Sequence, residues 1–325
     1  MSVVIRSIGA DIPARRIVND ELAAMVDTTD EWIRSHTGIG ARHVAADGDL
    51  TSDLAARAGR MALEKAGVSP RELDLIVVAT ATPDYLGFPA TACIVQDKLG
   101  ADGCAAFDII AGCTGFIYAL ETASAMLEAR KGRNALVIGA DELTRITNWK
   151  DRSTCVLFGD GAGAAVISRI EEGGRGVLKS ILGAEGKGAK ELYLVQAERD
   201  KSFERNEPVT PYIYMNGQAV YNFAVKTITV LVERLLHASI YRIEDFAWIV
   251  PHQANARIVQ AAAKRLGVPE ERFYMNLAEY ANTSSASIPI ALAEMDGKGL
   301  LKKGDLIMLI GFGSGLTYGA TAIRW

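Results

Sequence analysis

The chain has 325 residues, of which 49% are apolar and 23% are charged, and its formal net charge is -4 at pH 7. This balance is typical of a folded globular protein, and it argues against a disordered, fibrous or globally basic, nucleic-acid-binding chain. A chain of this length favours two closely packed domains over one core.

The cysteine pattern and the apolar runs indicate the compartment. No two cysteines form a C-x-x-C pair, which argues against a zinc site and a dense disulfide framework, and free thiols favour a reducing compartment. Arg6 and Asp11 interrupt the N-terminal apolar run, and no stretch approaches the about 20 apolar residues of a membrane span. We therefore expect a cytoplasmic protein with no metal and no membrane partner. The cysteines are Cys93, Cys104, Cys113 and Cys155.

Short apolar runs bounded by Gly, Pro or charge predict buried strands, and helices alternate with them. One helix is predicted to have Thr51 or Ser52 as its cap, to extend through Lys65 and to end at Gly67. This alternation predicts an α/β fold with mixed, mostly parallel sheets, because parallel neighbours need helical crossovers. The predicted strands are LDLIVVAT from Leu73, NALVIGA from Asn134, DFAWIVP from Asp245 and DLIMLIGF from Asp305.

The same order of parts occurs twice along the chain. The first half has a strand, a helix, FDIIAGCTGF, a helix, NALVIGAD and FGDGAGAAVISRI, in that order. The second half has FAWIVPHQAN, a helix, FYMNLAEYANTSS, a helix and DLIMLIGFGSGLTYGATAI in the matching order. We interpret this as a duplication with halves at residues 1–172 and 173–325, joined within the stretch from Glu171 to Lys190. The helix before the second set is predicted around Lys226 to His237.

Three residues have the strongest indications of chemistry. Cys113 and Asn282 hold equivalent places, each opening a helix after a strand, and His252 follows a strand at its carboxyl end, where open α/β sheets bind ligands. Packing of the halves around a pseudo-twofold axis would bring the three together. A helix N-terminus would lower the pKa of the Cys113 thiol. Taken singly, a buried Cys, a structural His and an Asn-Thr-Ser turn are the more common alternatives.

Other segments are open to two interpretations. The terminal GFGSGLTYGA can supply backbone N–H groups for an oxyanion hole or form an ordinary turn. FGDGAGAAV lacks the Lys-Ser/Thr and the glycine order of a phosphate loop. Arg257, Lys264 and Arg265 fall on one predicted helix face, which could steer an acidic partner or be a solvated face.

Seven stretches carry a resemblance along nearly the whole chain: DTTDEWIRSHTGI, GFPATACIVQDKLG, AGCTGF, FGDGAGAA, PHQANARI, ANTSSASIPIAL and GFGSGLTYG. In this order they resemble the β-ketoacyl-acyl-carrier-protein synthase III family of the thiolase superfamily. The resemblance implies a thiolase-like fold, with two duplicated α/β halves packed in α-β-α-β-α layers, and a homodimer. It implies decarboxylative Claisen condensation of a short acyl-CoA with malonyl-acyl-carrier protein to a 3-ketoacyl-carrier protein, which initiates fatty acid biosynthesis.

The resemblance also implies a role for individual residues. Cys113 would carry the acyl group, while His252 and Asn282 would stabilise the enolate oxygen formed as carbon dioxide leaves. The backbone amides of Cys113 and Ser314 would form the other oxyanion hole, although the family usually has Gly at 314. No bound cofactor is implied, because the substrates are themselves coenzyme A and phosphopantetheine thioesters. The implied substrate residues are Trp32, Phe88, Arg152, Gly217, Ala254 and Asn255, with Phe88 reaching into the partner subunit, and the implied carrier-docking residues are Arg257, Lys264 and Arg265.

Besides Ser314, three positions depart from the family pattern, and three other functions stay open. His36 and Gly40 stand where basic residues are expected, so coenzyme A binding would be weaker or the preferred acyl donor different. Gln218 replaces a commoner Asn near the pantetheine arm. The alternatives are a related thiolase-fold enzyme of a polyketide or other secondary pathway, a cysteine hydrolase, and a non-catalytic carrier-binding scaffold. The intact Cys113, His252 and Asn282 weigh against the scaffold.

Overall fold

The computed structural model describes residues 2–130, 132–194 and 212–325. The strands are β1 (Ser2–Asp11), β2 (Arg15–Val18), β3 (Ala41–Val44), β4 (Leu75–Ala79), β5 (Ala105–Ile109), β6 (Asn134–Glu142), β7 (Asp160–Ile170), β8 (Gly176–Ala184), β9 (Leu192–Tyr193), β10 (Tyr214–Met215), β11 (Phe246–Pro251), β12 (Leu306–Gly313) and β13 (Thr317–Arg324). The helices are α1 (Asn19–Ala23), α2 (Asp30–Thr37), α3 (Thr51–Ala66), α4 (Thr91–Leu99), α5 (Gly115–Arg130), α6 (Arg152–Cys155), α7 (Gly217–His237), α8 (Ala256–Leu266), α9 (Leu277–Tyr280) and α10 (Ser287–Gly297). No described helix is both long and apolar enough to cross a bilayer.

Two mixed sheets form the frame, in the strand orders β1-β7-β6-β4-β5 and β11-β12-β13-β8. In the first, β4 is parallel to β5 and β6, while β7 is antiparallel to β6 and β1, so only β7 is reversed. In the second, only β13 is reversed. The predicted mixed, mostly parallel α/β fold is therefore confirmed.

The layers follow from the alternation of side chains along each strand. Leu75, Val77 and Ala79 of β4 pack into the same apolar cluster as α5, α10 and β12, between the sheets. Ile76 and Val78 point the other way, toward α3 and α4. The second sheet packs its outer face on α7 and α8. This is the predicted α-β-α-β-α order.

The two halves correspond strand by strand. The order β1-β7-β6-β4 matches β8-β13-β12-β11, and in place of a full counterpart to β5 there is a single parallel bridge between Ile249 and Phe273. The predicted division at residues 172 and 173 falls in the short segment between β7 and β8. The stretch proposed as the join, residues 171–190, itself contains β8.

One local prediction was wrong, and another covered only part of its helix. Leu50 precedes α3 as its cap, and Asp53 accepts a hydrogen bond from the Leu50 backbone; Thr51 donates instead to the carbonyl of Thr82. Gly67 does end this helix in a left-handed conformation, as predicted. The helix predicted around Lys226 begins earlier, at Gly217, because Asn216 caps its N-terminus.

The equivalence of Cys113 and Asn282 also needs correction. Each of α5 and α10 is preceded by one turn of 3-10 helix, Gly112–Thr114 and Ser284–Ala286 respectively. Cys113 lies in the first turn, two residues before α5, and the residue at that place before α10 is Ser285. Asn282 lies earlier, in the segment that leads into the second turn.

Candidate active site

One cavity brings together the residues that the sequence singled out. A narrow space of about 150 Å³ is lined by Cys113, His252 and Asn282, and also by Gly217, Ala254 and Asn255. We call it the tunnel cavity. The predicted convergence of residues from both halves is thus found in the structure.

Cys113 lies where two cavities meet. Besides the tunnel cavity it lines a second space, of about 90 Å³, whose wall includes Ser314 and the apolar side chains of Leu143, Ile146 and Phe158. We call this the side cavity. A thiol at such a junction can be approached from one space while a group bonded to it occupies the other.

Burial dominates the electrostatics of this thiol. It raises the pKa of Cys113 to about 12, the Ser284 side chain opposes the rise by hydrogen bonding, and the Asp141 carboxyl adds to it. The predicted lowering of this pKa was therefore wrong, because loss of water around the sulfur outweighs the amides of the adjacent helix start. With this pKa the sulfur is a neutral thiol at physiological pH.

His252 is held rigidly at the end of β11. Its backbone N–H donates to the carbonyl of Ile310 at 2.7 Å, which extends the β11–β12 ladder by one residue, and its ring contacts the edge of Phe312 at 5.2 Å between centroids. Its Nδ1 lies 2.7 Å from the hydroxyl oxygen of Ser287. Burial lowers the pKa of His252 to about 3, so the imidazole is neutral at physiological pH.

Asn282 is fixed by contacts that cross between the halves. Its backbone N–H donates to the carbonyl of Leu157, and its carbonyl accepts from the N–H of Gly159. The side-chain oxygen accepts from the backbone N–H of Ser284 at 2.9 Å, which orients the NH₂ group as the remaining donor. Ala281 and Ser284, which flank this residue, both have positive φ, of 57° and 51°. Such backbone costs about 1–3 kcal/mol per residue and is concentrated at functional sites.

The terminal Gly-rich loop lies directly against Cys113. A Cβ at Gly313 would stand 2.6 Å from the backbone nitrogen of Cys113, and a Cβ at Gly112 would stand 2.3 Å from the Ser314 hydroxyl. Only glycine permits this approach, so the sequence GFGSG is explained by packing as well as by chemistry. The loop places the backbone of Ser314 beside that of Cys113, as the oxyanion-hole interpretation requires.

A stack of planar groups lies at the surface. Trp32 has the His36 ring stacked on it, with centroids 4.3 Å apart, and the guanidinium of Arg152 also lies over its ring, at 4.7 Å. Arg152 also donates to the carbonyl of Asp27. Gly40 is one of the positions that depart from the family pattern. A Cβ at this position would stand 2.5 Å from the guanidinium of Arg34. Arg34, itself paired with Asp30, thus occupies the space of the missing side chain.

The stack and the tunnel cavity are joined by Asn255. Its side chain caps α8 by accepting from the N–H of Arg257, and it donates to the carbonyl of His36 at 3.1 Å. Arg257 and Lys264 are exposed on α8 and Arg265 is exposed beside them, as predicted from their spacing. Gln218, by contrast, is exposed on α7 and bonds to Asn222.

Phe88 is the most conspicuous exposed aromatic residue. It is 90% exposed, beside Tyr85 and Leu86, which are 54% and 66% exposed. Ile110, just beyond the edge strand β5, is 78% exposed. An apolar group of this kind beside the open edge of a sheet favours association with another protein surface.

Sequence reasoning missed a buried polar cluster behind Cys113. Asp141, fully buried, accepts from the backbone N–H of Ala81 at 2.7 Å, and from the N–H and hydroxyl of Ser285 at 3.0 and 2.6 Å. Thr80 and Thr82 each donate to it at 3.2 Å. The only signal in the sequence was the acidic residue at the end of an apolar strand. The cluster ties the Asn282 segment to the half that carries Cys113.

No group of three or more His, Cys, Asp or Glu side chains in the described ranges could hold a metal ion. In the tunnel cavity, Cys113 supplies a thiol, and His252 and Asn282 supply side-chain nitrogens.

Comparison with known proteins agrees with this geometry. Family models described as 3-oxoacyl-[acyl-carrier-protein] synthase III and its C-terminal part match residues 107–186 and 236–325. The β-ketoacyl-[acyl-carrier-protein] synthase III of Caldanaerobacter subterraneus subsp. tengcongensis is 50% identical over 98% of this chain and 96% of its own length. The solved structure of the synthase III from Thermus thermophilus has a TM-score of 0.93 at 43% identity, covering 99% of each chain. That from Aquifex aeolicus has a TM-score of 0.92 at 41% identity, covering 99% of this chain and all of its own.

Proposed function

Because the chain belongs to the β-ketoacyl-acyl-carrier-protein synthase III family, we propose that it joins a short acyl-CoA to malonyl-acyl-carrier protein through an acyl group held on Cys113. The family makes it a condensing enzyme of the acyltransferase class with a thiolase-like fold. The product would be a 3-ketoacyl-carrier protein, the first chain-extension product of fatty acid biosynthesis. The observation that carries the proposal is the shared cavity of Cys113, His252 and Asn282.

In the first stage the Cys113 sulfur attacks the acyl-CoA carbonyl. A carbon–sulfur bond to Cys113 forms, the bond to coenzyme A breaks, and the thiol proton leaves with the coenzyme A sulfur. The backbone amides of Cys113 and Ser314 would donate to the oxygen of the tetrahedral intermediate. The apolar side cavity would receive the acyl chain, which leaves the tunnel cavity free for the second substrate.

In the second stage malonyl-carrier protein loses carbon dioxide. The electron pair of the broken carbon–carbon bond passes to the thioester oxygen, where the neutral imidazole of His252 and the amide of Asn282 would donate hydrogen bonds. Two neutral donors in a site with little water favour a developing oxyanion without protonating it fully. The carbanion attacks the acyl carbonyl, the Cys113 sulfur leaves, and one proton taken up restores the thiol. No metal or bound cofactor is needed for either step.

Three surfaces would serve the substrates. Arg152 and Trp32 suit the phosphate and adenine of coenzyme A, because an arginine pairs with phosphate and an indole stacks on a base. Gly217, Ala254 and Asn255 line the tunnel cavity where a pantetheine arm would lie. The exposed Arg257, Lys264 and Arg265 offer positive charge to an acidic carrier protein.

The oligomer and the compartment complete the proposal. A homodimer would cover the apolar surface around Phe88, with Phe88 entering the partner's acyl site. The substrates are those of cytoplasmic metabolism, so we assign the protein to the cytoplasm.

The test is direct detection of the acyl-enzyme. Purified protein incubated with acetyl-CoA should gain one acetyl group per chain, located on Cys113 by peptide mass spectrometry. The companion assay supplies malonyl-carrier protein and measures 3-ketoacyl product. Absence of acylation with every short straight or branched acyl-CoA would contradict the proposal and favour a scaffold.

A further inference from the structure

Ser287 contacts the imidazole of His252, and this contact restricts which ring nitrogen of His252 carries the proton. Ser287 is 2% exposed, at the first position of α10. Its hydroxyl oxygen lies 2.7 Å from Nδ1 of His252, and it also accepts, at 3.4 Å, from the backbone N–H of Gln253. Among the hydrogen bonds of the described residues, this hydroxyl has no other acceptor than Nδ1.

A hydroxyl carries one donor, and a neutral imidazole has one donor and one acceptor nitrogen. The Ser287 oxygen has two lone pairs, so its bond from Gln253 does not by itself set the direction of the bond to Nδ1. The hydroxyl proton is buried, and Nδ1 is its one acceptor among the described residues. Because a buried donor without an acceptor is costly, the hydroxyl proton points at Nδ1. We propose that Ser287 donates to Nδ1 and thereby holds His252 in the tautomer whose proton is on Nε2, presenting that N–H to the tunnel cavity. This inference rests on the proposed function, in which His252 acts as a donor to the enolate oxygen.

The surroundings of the ring favour the same state. Nδ1 contacts the first residue of an 11-residue helix, and the positive end of the helix dipole disfavours a second proton on the ring. The backbone next to His252 is fixed, because the side-chain amide of Gln253 donates to the carbonyls of Pro251 and Tyr274 and accepts from the N–H of Asn276. Rotation of the ring to exchange its nitrogens would cost both the Ser287 bond and the contact with Phe312.

The consequence is a role for Ser287 as a positioning residue. Without its hydroxyl, the proton of His252 can move to Nδ1, and the Nε2 lone pair then faces a developing negative charge. Condensation should suffer, whereas transfer of the acyl group to Cys113 should not, because His252 takes no part in that step.

The first experiment reads the tautomer itself. In full-length protein labelled with nitrogen-15 at its four histidines, we expect His252 to show an unprotonated Nδ1 and a protonated Nε2, assigned by comparison with His252→Asn. In Ser287→Ala this signal should shift toward the other tautomer or a mixture. Protonated Nδ1 in the unsubstituted protein would overturn the proposal, whether or not the variant folds.

The second experiment separates the two stages. Ser287→Ala should lower kcat of condensation by about 10- to 100-fold, by analogy with the loss of a residue that orients a metal-binding histidine through its other ring nitrogen. KM should change little, and the rate of Cys113 acylation should not change. Ser287→Thr, which keeps the hydroxyl, should recover most of kcat. Ser168→Ala removes a comparably buried hydroxyl, bonded to Asn134 in the first sheet, and should change neither stage.

The outcomes distinguish the two proposals. Condensation by Ser287→Ala at the unsubstituted rate would refute the role of Ser287 and leave the acyl-enzyme mechanism intact. Failure of the unsubstituted protein to load or condense would instead refute the proposed function.

Discussion

The two halves use the same strand end in opposite ways. After β4, Thr80, Ala81 and Thr82 all bond to the buried carboxyl of Asp141 near the end of β6. After β11, the backbone of His252 continues the ladder to β12, while its ring faces the tunnel cavity. Both carboxyl oxygens of Asp141 accept hydrogen bonds from protein donors, whereas His252 has one ring nitrogen left for a ligand. The same frame thus supports a buried structural cluster at one strand end and a side chain that faces a cavity at the matching strand end.

The two helix starts show the same contrast with the halves exchanged. Cys113 and Ser285 occupy matching places before α5 and α10. Cys113 keeps accessible surface at the junction of two cavities, whereas Ser285 is 1% exposed and bonds to Asp141 and Ala79. Burial and hydrogen bonding by neighbouring residues, more than residue type, decide which of the two matching side chains can contact a substrate.

The largest effect is expected from exchanging these two positions. Cys113→Ser should reduce acylation by several orders of magnitude, because a serine hydroxyl is a far weaker nucleophile without a base beside it. Ser285→Cys alone should leave acylation at Cys113, and the double variant should not regain it. Intact-mass measurement after acyl-CoA addition checks all three. Acylation of the thiol introduced at position 285 in the double variant would show that burial does not separate the two sites.

Loss of the Asp141 carboxyl should be the next largest effect. In Asp141→Ala, the buried backbone N–H of Ser285, the partly buried N–H of Ala81 and several hydroxyls lose an acceptor, at about 1–3 kcal/mol for each buried group left unsatisfied. The free energy of unfolding should fall by about 3 kcal/mol or more, measured by urea denaturation at fixed protein concentration. Asp141→Asn keeps one carbonyl acceptor and should cost less. Equal stability of the alanine variant and the original would mean that the cluster does not join the halves.

The burial of neutral His252 predicts a pH dependence of stability. Its pKa is about 3 in the folded protein and about 6.5 in the unfolded chain, so between these values the unfolded state binds more protons. Stability should therefore fall as pH drops below about 6.5, by about 1.4 kcal/mol per pH unit from this residue. Urea denaturation of the unsubstituted protein and of His252→Asn at pH 7 and pH 5 checks this, because the variant should lose less stability between the two. An equal loss in both proteins would mean that the folded imidazole takes up its proton normally.

Charge on α8 should have the smallest effect. Arg257→Glu should raise KM for the carrier protein several-fold, more at low salt, and leave acylation by acyl-CoA unchanged. Arg71→Glu alters a 79%-exposed side chain elsewhere and serves as the charge control. An equal rise of KM in both variants would indicate a general charge effect, and slower acylation in Arg257→Glu would count against docking at this face.

Much of this arrangement could be predicted from the sequence because it depends on local pattern. Apolar runs located β4, β6, β11 and β12, and their repetition in the two halves indicated that Cys113, His252 and Asn282 meet. The pKa of Cys113 could not be predicted, because it depends on how much water the folded site excludes. Asp141, Ser285 and Ser287 were missed for a related reason: their partners lie on other elements, and nothing near them in the chain distinguishes them from ordinary polar residues.

The proposed assignment of Cys113 to acyl loading and of Asn282 to the second stage is tested most directly by a single turnover of Asn282→Ala. The variant is first loaded with an acyl group from acyl-CoA, and malonyl-carrier protein is then added in excess. We predict normal loading of Cys113 followed by discharge of the acyl group, with release of carbon dioxide, about 100- to 1,000-fold slower than in the unsubstituted protein. Discharge at the unsubstituted rate, or a failure to load at all, would contradict the assignment of Asn282 to the second stage alone.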